Sequence, residues 1–204
     1  MKSSKHAFLA AVAMILLLIA GACSNKPFLV VQYQLPSSTG TLAGKEVSQV
    51  ITDDRATKTF LSESAKKSLR EFNDTYSLVV LKVDGSGDLL GIYKIDALFN
   101  EIFKQRLNSL GLQVSPPANQ SEYEFEIKLK EFKLDLVERK WVVNMSYQAN
   151  LSKNSRLLAM ESVAGSAERL KVMGHRDAEK LIGELLTDMV NKLDLVKLFQ
   201  KAQR

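Results

Sequence analysis

The strongest constraint on the fold is a long stretch of alternating apolar and polar residues in the second half of the chain. Over residues 123–129 every second residue is apolar, and Glu or Lys side chains lie between them. The alternation shifts by one position before Phe132, which predicts a β-bulge at Lys130 and Glu131. After a charged turn, apolar residues again occupy every second position over residues 141–151. This pattern predicts long antiparallel strands with one face buried and the other in contact with water.

Two amphipathic helices are predicted to cover the buried face of this sheet. The first helix is predicted to start near Ile95 and Asp96, with Asp96 as the N-cap. It carries apolar residues at helical spacing over 98–110, and Gly111 stands where a left-handed residue ends many helices. A second apolar stripe predicts a helix over residues 177–193. Further strands are expected at residues 28–35, 45–52, 77–83 and 157–167. The elements predict an α+β fold, a two-layer sandwich in which two main helices pack on one face of an antiparallel β-meander.

The first 22 residues have the composition of a secretory signal peptide. Lys2 and Lys5 provide a short positive start, and residues 7–22 then contain no charged residue. A helix of that length spans ~24 Å, which is less than the ~30 Å hydrocarbon core of a bilayer. A positive start, a short apolar stretch and small residues at its end are typical of a cleaved signal. A signal-anchor helix is the alternative, and we expect cleavage after residue 22.

The only cysteine in the chain, Cys23, follows directly after Ala20, Gly21 and Ala22. This arrangement resembles the lipobox of bacterial lipoproteins, in which small residues precede a cysteine that is diacylated on its thiol and becomes the new amino terminus. Lipoboxes usually carry Leu three residues before the cysteine, where this chain has Ala20. The alternative is a buried structural cysteine, but nothing around Cys23 indicates a core. The resemblance implies that acyl chains on Cys23 fix the mature protein to a membrane.

The residue after the cysteine indicates which membrane holds the lipoprotein. In enteric-type sorting an aspartate at that position retains a lipoprotein in the inner membrane, and this chain has Ser24 there. We therefore expect an outer-membrane lipoprotein of a Gram-negative bacterium that faces the periplasm. Residues 1–22 would be the signal peptide, residues 23–44 the lipidated cysteine and a tether that holds one strand, and residues 45–204 a single α+β periplasmic domain.

The charge balance of the mature chain argues against nucleic acid as a partner. Removal of the signal peptide leaves 26 of the 28 Lys and Arg residues against 23 Asp and Glu residues. The chain also contains no run of basic residues of the kind that contacts a phosphate backbone.

Few residues of the mature chain offer catalytic chemistry. His175 is its only histidine and is expected to be a solvated or capping side chain. Residues 64–67 match Ser-x-x-Lys, but the Ser-Asp-Asn and Lys-Thr-Gly motifs that accompany this nucleophile pattern are missing. Residues 84–88 begin like a calcium loop, yet the twelfth position is Ile95 rather than Glu, so a hairpin turn is expected. We predict that the protein is not an enzyme and holds no metal or cofactor.

Asp53, Asp54 and Arg55 form a candidate structural or binding motif at the end of a predicted strand. Two carboxylates perform general acid–base chemistry when a cleft separates their pKa values, and the sequence alone does not show such a cleft. A structural ion pair that holds the turn is the interpretation that we favour.

Three short motifs give the chain a family resemblance. They are a Gly-x-x-Val strand that ends in Asp-x-Arg, a helix that closes as Leu-x-x-x-Gly-Leu-x-Val, and a last helix that ends as Leu-Thr-Asp-x-x-x-x-Leu-Asp. The residues concerned are Gly44, Val47, Asp53, Arg55, Leu107, Gly111, Leu112, Val114, Leu186, Thr187, Asp188, Leu193 and Asp194. In their order and spacing after a lipobox, these motifs resemble the YajG family of bacterial lipoproteins over residues 42–199. Members of this family have no established activity, so the resemblance implies a location and a fold.

Two functions are expected from these features. The first is a non-catalytic envelope lipoprotein that binds an envelope protein through its sheet or a helical face. The second is an auxiliary lipoprotein of a lipid-transport or outer-membrane assembly system. Residues 33–36 (Tyr-Gln-Leu-Pro) are similar to the Tyr-x-Leu-Pro opening of ABC-type transport auxiliary lipoproteins. Bound lipid belongs to the second function and would require an apolar groove between helix and sheet.

Overall fold

The computed structural model describes residues 27–115 and 121–202. The strands are β1 (Phe28–Gln34), β2 (Glu46–Asp53), β3 (Thr75–Leu81), β4 (Gly87–Tyr93), β5 (Gln113–Ser115), β6 (Tyr123–Val137), β7 (Lys140–Lys153) and β8 (Arg156–Leu170). The helices are α1 (Glu63–Ser68), α2 (Ile95–Ser109), α3 (His175–Lys192) and α4 (Leu195–Lys201). The predicted signal peptide and Cys23 lie outside the described residues.

The larger sheet has five strands in the order β5-β2-β6-β7-β8. Strands β6, β7 and β8 form the predicted antiparallel meander, and β2 runs parallel to β6. The pairing with β7 shifts between Leu129 and Glu131, which leaves Lys130 as an extra residue. The predicted β-bulge is therefore confirmed.

Both main helices pack on the same face of this sheet. The ring of Phe103 in α2 meets the ring of Tyr147 edge-on, with 5.4 Å between their centroids. The hydroxyl group of Tyr147 also donates a hydrogen bond of 2.9 Å to the carbonyl oxygen of Met189 in α3. Because one strand residue contacts both helices, the predicted α+β sandwich is confirmed. Gly111 has a φ of 87° just after α2, as expected for a residue that ends a helix.

A second sheet of three strands, in the order β1-β3-β4, was not predicted. Strand β1 is parallel to β3, and β4 is antiparallel to β3. Tyr76 on its inner face contacts Phe60 at 5.4 Å between ring centroids, and Phe60 contacts Phe132 of β6 at 4.7 Å. The two sheets therefore share one hydrophobic core.

The position of β1 corrects the predicted domain boundary. Leu29, Val31 and Tyr33 are buried in the core, although residues 23–44 were expected to be a tether that holds one strand. Leu42 is buried as well, and its N–H donates to the carbonyl oxygen of Leu110 at 2.9 Å. The folded domain thus includes β1 and Leu42, which precede residue 45. The partner of β1 is β3, more than forty residues further along the chain, and nothing in the local sequence of β1 identifies that partner.

The segment around residues 84–88 forms the expected hairpin turn between β3 and β4. The N–H of Lys82 donates to the carbonyl oxygen of Ser86 at 2.8 Å. The Asp84 carboxylate accepts a hydrogen bond of 2.9 Å from the N–H of Ser86. This carboxylate therefore stabilises the turn from within.

Candidate binding site

Asp53 and Arg55 form a bidentate ion pair. The Nε and Nη2 atoms of Arg55 each donate to a different carboxylate oxygen of Asp53 at 2.9 Å. The Nη1 atom of Arg55 donates to the carbonyl oxygen of Phe132 at 3.2 Å, and only 3% of the Arg55 side chain is exposed. The hydrogen bonds from Arg55 lower the pKa of Asp53 to about 2. This pair joins the end of β2 to β6 just beyond the bulge.

Asp54 faces a different partner from its neighbour. Its carboxylate pairs with the ammonium group of Lys130, the extra residue of the bulge. The hydrogen bond from Lys130 lowers the pKa of Asp54. General acid catalysis at neutral pH needs a carboxyl group with a raised pKa, whereas both pKa values here are lowered. The geometry of the motif is that of a structural clamp at the end of β2.

The other sequence candidates also have structural partners or lie in solvent. The hydroxyl groups of Ser62 and Ser64 both donate to the Asp135 carboxylate, and these hydrogen bonds lower the pKa of Asp135. His175 is exposed in the first turn of α3. Within residues 27–115 and 121–202, no group of three His, Cys, Asp or Glu side chains is placed to hold a metal ion.

A groove of about 650 Å³ lies between β1 and α3. The N–H of Val30 donates to the Glu179 carboxylate at 2.9 Å, and the N–H of Gln34 donates to the Thr187 hydroxyl at 3.0 Å. Between these contacts, Gly183 faces Gln32 so closely that a Cβ atom would lie 2.6 Å from the Gln32 carbonyl oxygen. Contact positions are four residues apart on α3 and two residues apart on β1. These spacings match, because four helical residues rise ~6 Å and two strand residues advance ~6.6 Å.

These contacts close the outer edge of β1. Strand β1 pairs with β3 on one side, and side chains of α3 take its backbone donors on the other. Asn191 completes the contact, since its amide donates to the Gln34 carbonyl oxygen at 3.0 Å and accepts from the Tyr33 hydroxyl at 2.9 Å. Burial raises the pKa of Tyr33. A partner protein therefore has no free edge at β1 to which it could add a strand.

The three-stranded sheet has an exposed side that adjoins the groove. Its cross-strand rows place Val30 beside Ser77 and Ile92, and Gln32 beside Val79 and Leu89. Ile92 is 57% exposed and Leu89 is 68% exposed. We call this surface the outer face; its members are Val30, Gln32, Val79, Leu81, Leu89 and Ile92.

The wall of the groove that α3 provides is charged. Arg176 and Lys180 line it near the start of the helix, and Glu184 and Asp188 line it further along. Glu184 is paired with Arg169 at 2.6 Å. Apolar lining comes mainly from β1 and β3. The groove thus presents ion-pairing groups beside an apolar strip and lacks the uniform apolar lining that an acyl chain requires.

Sequence reasoning missed both the groove and the outer face. One available signal was the series Glu179, Gly183 and Thr187, which places small or hydrogen-bonding residues four apart on α3. Such a stripe fits a helix that packs against backbone rather than against side chains. A second signal was the pair Val79 and Leu81, which are apolar although they alternate with the buried residues of β3.

The sequence matches no family model and shows no significant match to a curated protein. Protein XCC0632 of Xanthomonas campestris, of family DUF330, is similar in structure, with a TM-score of 0.51 and 12% identity over 88% of this chain and 100% of that chain. Hypothetical protein CT253 of Chlamydia trachomatis has a TM-score of 0.43 and 10% identity over 78% and 99%. Lipoprotein GNA1162 of Neisseria meningitidis has a TM-score of 0.39 and 12% identity over 72% and 96%. The likeness to XCC0632 shows a shared fold.

No helix in the described part of the chain is long and apolar enough to cross a membrane.

Proposed function

We propose that the protein is a bacterial envelope lipoprotein, anchored through Cys23, that binds a periplasmic partner protein through the outer face and performs no catalysis. The observation that carries this proposal is the exposure of Leu89 and Ile92 on a sheet face beside a charged groove. Exposed apolar residues that adjoin polar ones are typical of protein interaction sites. The lipobox and the YajG-like motifs support the anchor, the family and the outer-membrane location.

The chemistry of the groove favours a protein over a lipid. A protein segment with an apolar stripe would cover Leu89 and Ile92, and an acidic residue on it would pair with Lys180. Since α3 closes the edge of β1, such a partner would add no strand there, and we expect it to contact side chains of the outer face. A lipid chain would have to lie against the carboxylates of Glu184 and Asp188 instead.

Two observations support the absence of catalysis. The Asp53 carboxylate is held by Arg55, and its pKa is lowered to about 2. The Ser64 hydroxyl donates to Asp135, whose own pKa is lowered and which is therefore a weak base. Neither group is prepared for proton transfer near neutral pH.

The second candidate function is that of an auxiliary lipoprotein in a lipid-transport or outer-membrane assembly system. The Tyr-Gln-Leu-Pro sequence of residues 33–36 supports it. In this case the partner on the outer face would be a subunit of that system, and identifying the partner separates the two candidates.

Site-specific photo-crosslinking in the native envelope tests the proposal. A photoreactive amino acid at Leu89 or Ile92 is expected to give a defined crosslinked species, which mass spectrometry then identifies. Met160 on β8 is a matched control, because it is also an exposed apolar residue on a strand but lies outside the outer face. Equal crosslinking from residue 160, or none from residues 89 and 92, would contradict the assignment of the outer face.

A further inference from the structure

One end of the domain carries an exposed apolar surface. The loop over residues 171–174, which connects β8 to α3, presents Val172 at 80% exposure and Met173 at 62% exposure. Val137 at the end of β6 and Leu170 at the end of β8 are exposed beside it. We call residues 137–140 and 170–174 the apolar tip.

The apolar tip is a defined structure rather than a loose loop. The N–H of Lys171 donates to the carbonyl oxygen of Arg139 at 2.8 Å, which holds the loop against the β6–β7 turn. The N–H groups of Val172 and Met173 both donate to the Asp177 carboxylate in α3. The two apolar side chains are therefore presented by an ordered backbone.

The amino-terminal end of the described chain lies at the same end of the domain. Strand β1 begins, β8 ends and α3 begins there. A cleft of about 260 Å³ is lined by residues of β1, α1 and the tip, among them Phe28, Lys171 and His175. The carbonyl oxygen of Pro27 accepts a hydrogen bond of 3.0 Å from the N–H of Asn73 in the loop after α1. The chain that leads back to Cys23 therefore leaves the domain beside the apolar tip.

The covalent distance between Cys23 and the domain is short. Pro27 comes four positions after Cys23, and this stretch reaches at most ~14 Å when fully extended. Strand β7 alone has 14 residues and spans ~45 Å. If the acyl chains of Cys23 are in a bilayer, the end of the domain that carries Pro27 must stay close to the bilayer surface. When the strands stand perpendicular to that surface, which we call upright, the β7–β8 turn at the other end lies far from the bilayer.

Basic side chains surround the tip. Arg139 and Arg176 form no ion pair with any residue of the described ranges 27–115 and 121–202. Lys171 donates to the Ser68 hydroxyl at 2.8 Å and lies over the Trp141 ring. Glu138 lies in the same β6–β7 turn as Arg139, and Glu71 lines the neighbouring cleft. Arg176 lies in the first turn of α3, where the helix dipole disfavours a cation, so helix stability does not account for it. Apolar residues among cations fit a surface that contacts anionic lipid headgroups.

We propose that the apolar tip rests on the membrane that holds the acyl chains, with Val172 and Met173 between the headgroups. Arg139 and Arg176 then face anionic headgroups, while the Lys171 ammonium group stays on the Ser68 hydroxyl and over the Trp141 ring. This inference rests on the lipid anchor of the proposed function. It adds an orientation in which the domain stands upright and the outer face is open to the periplasm along its length.

Fluorescent labelling of the lipidated full-length protein tests this orientation. In the acylated protein the thiol of Cys23 is blocked, so Val172→Cys provides a single site for labelling. The protein is reconstituted in vesicles of phosphatidylethanolamine and phosphatidylglycerol. We expect brominated lipid to remove most of the fluorescence at residue 172 and an aqueous quencher to remove little. Leu157→Cys, an exposed apolar position at the β7–β8 turn, is the control that the aqueous quencher should affect and brominated lipid should not.

The outcomes separate this inference from the lipid anchor. Mass spectrometry of the amino-terminal peptide first establishes the acylation of Cys23, and a peptide without acyl mass would overturn both proposals. An acylated protein with equal aqueous quenching at residues 172 and 157 would overturn the orientation and leave the anchor in place. Lipid quenching at residue 157 or at Leu89→Cys would show a domain that lies on its side, which also overturns it. Arg139→Glu combined with Arg176→Glu should increase aqueous quenching at residue 172 several-fold.

Discussion

Charged groups are paired in the cluster around Asp53, whereas several beside the outer face are unpaired. In the cluster, Arg55 is buried and bidentate on Asp53, and Asp54 is paired with Lys130. On the wall beside the outer face, Arg176, Lys180 and Asp188 face solvent without an ion pair in the described part of the chain. Paired and buried charges fix a fold, whereas open charges beside apolar residues are available to a partner. The motif that stands out in the sequence therefore stabilises, and ordinary surface residues form the candidate binding site.

The largest expected effect comes from Asp53→Ala. Removing this carboxylate leaves the buried Arg55 guanidinium without its partner, and breaking a buried pair in this way lowers stability by about 3–5 kcal/mol. Urea unfolding followed by circular dichroism measures the loss. Asp54→Ala is the matched control, because the neighbouring carboxylate is exposed and pairs at the surface; its unfolding midpoint should stay close to that of the original chain. A small effect of Asp53→Ala would mean that the cluster does not stabilise the fold.

The next effect tests how closely α3 approaches β1. In Gly183→Ala the new Cβ would meet the backbone of Gln32, at 2.6 Å from its oxygen and 3.2 Å from its nitrogen. We expect a net loss of roughly 2 kcal/mol, since overpacking outweighs the gain in helix propensity. In Gly165→Ala the Cβ would meet the flexible end of the Met189 side chain, which can move aside, so this control should lose less. Equal losses measured by urea unfolding would show that α3 can shift away from β1.

The pH dependence of stability tests how much the ionised Asp53 carboxylate stabilises the fold. Its pKa is about 2 in the folded protein and 3.8 without these partners, so the pair stabilises the fold above about pH 4. This contribution, roughly 1–2 kcal/mol, should be lost as the pH falls from about 4 to about 2. Unfolding midpoints at several acidic pH values measure it. In Asp53→Asn the dependence in this window should be flatter, and an unchanged slope would assign the loss to other carboxylates.

The part of the fold that sequence reasoning predicted well is the part with local periodicity. Strands β6 and β7 are neighbours joined by a short turn, so alternation alone defines their faces and the bulge at Lys130. Helices α2 and α3 are equally readable from apolar spacing. Strand β1 was predicted as a strand and placed wrongly, because its partner β3 lies far away in the sequence and parallel pairing leaves no turn signal between them.

The candidate site could not be predicted from the sequence for a different reason. Asp53 and Arg55 were singled out because charged residues at a strand end are conspicuous, but the bond from Arg55 to the Phe132 carbonyl depends on tertiary structure. The outer face comes from the pairing of β1 with β3 and of β3 with β4, which decides that Leu89 and Ile92 share a side. Surfaces built by non-local pairing are visible only once the register of each strand is known.

Ile92→Asp is expected to have the smallest effect on stability. It also tests most directly whether the outer face or the Asp53 cluster binds the partner. Ile92 is 57% exposed, so the substitution should lower the free energy of unfolding by no more than about 1 kcal/mol, the difference in strand propensity between Ile and Asp. The new carboxylate would be buried without a partner if a protein covers the outer face, and the crosslink from residue 89 should therefore disappear. Asp53→Ala, assayed at a temperature where it remains folded, should keep that crosslink. Retention of the crosslink in Ile92→Asp together with its loss in Asp53→Ala would reverse the assignment and make the Asp53 cluster the binding site.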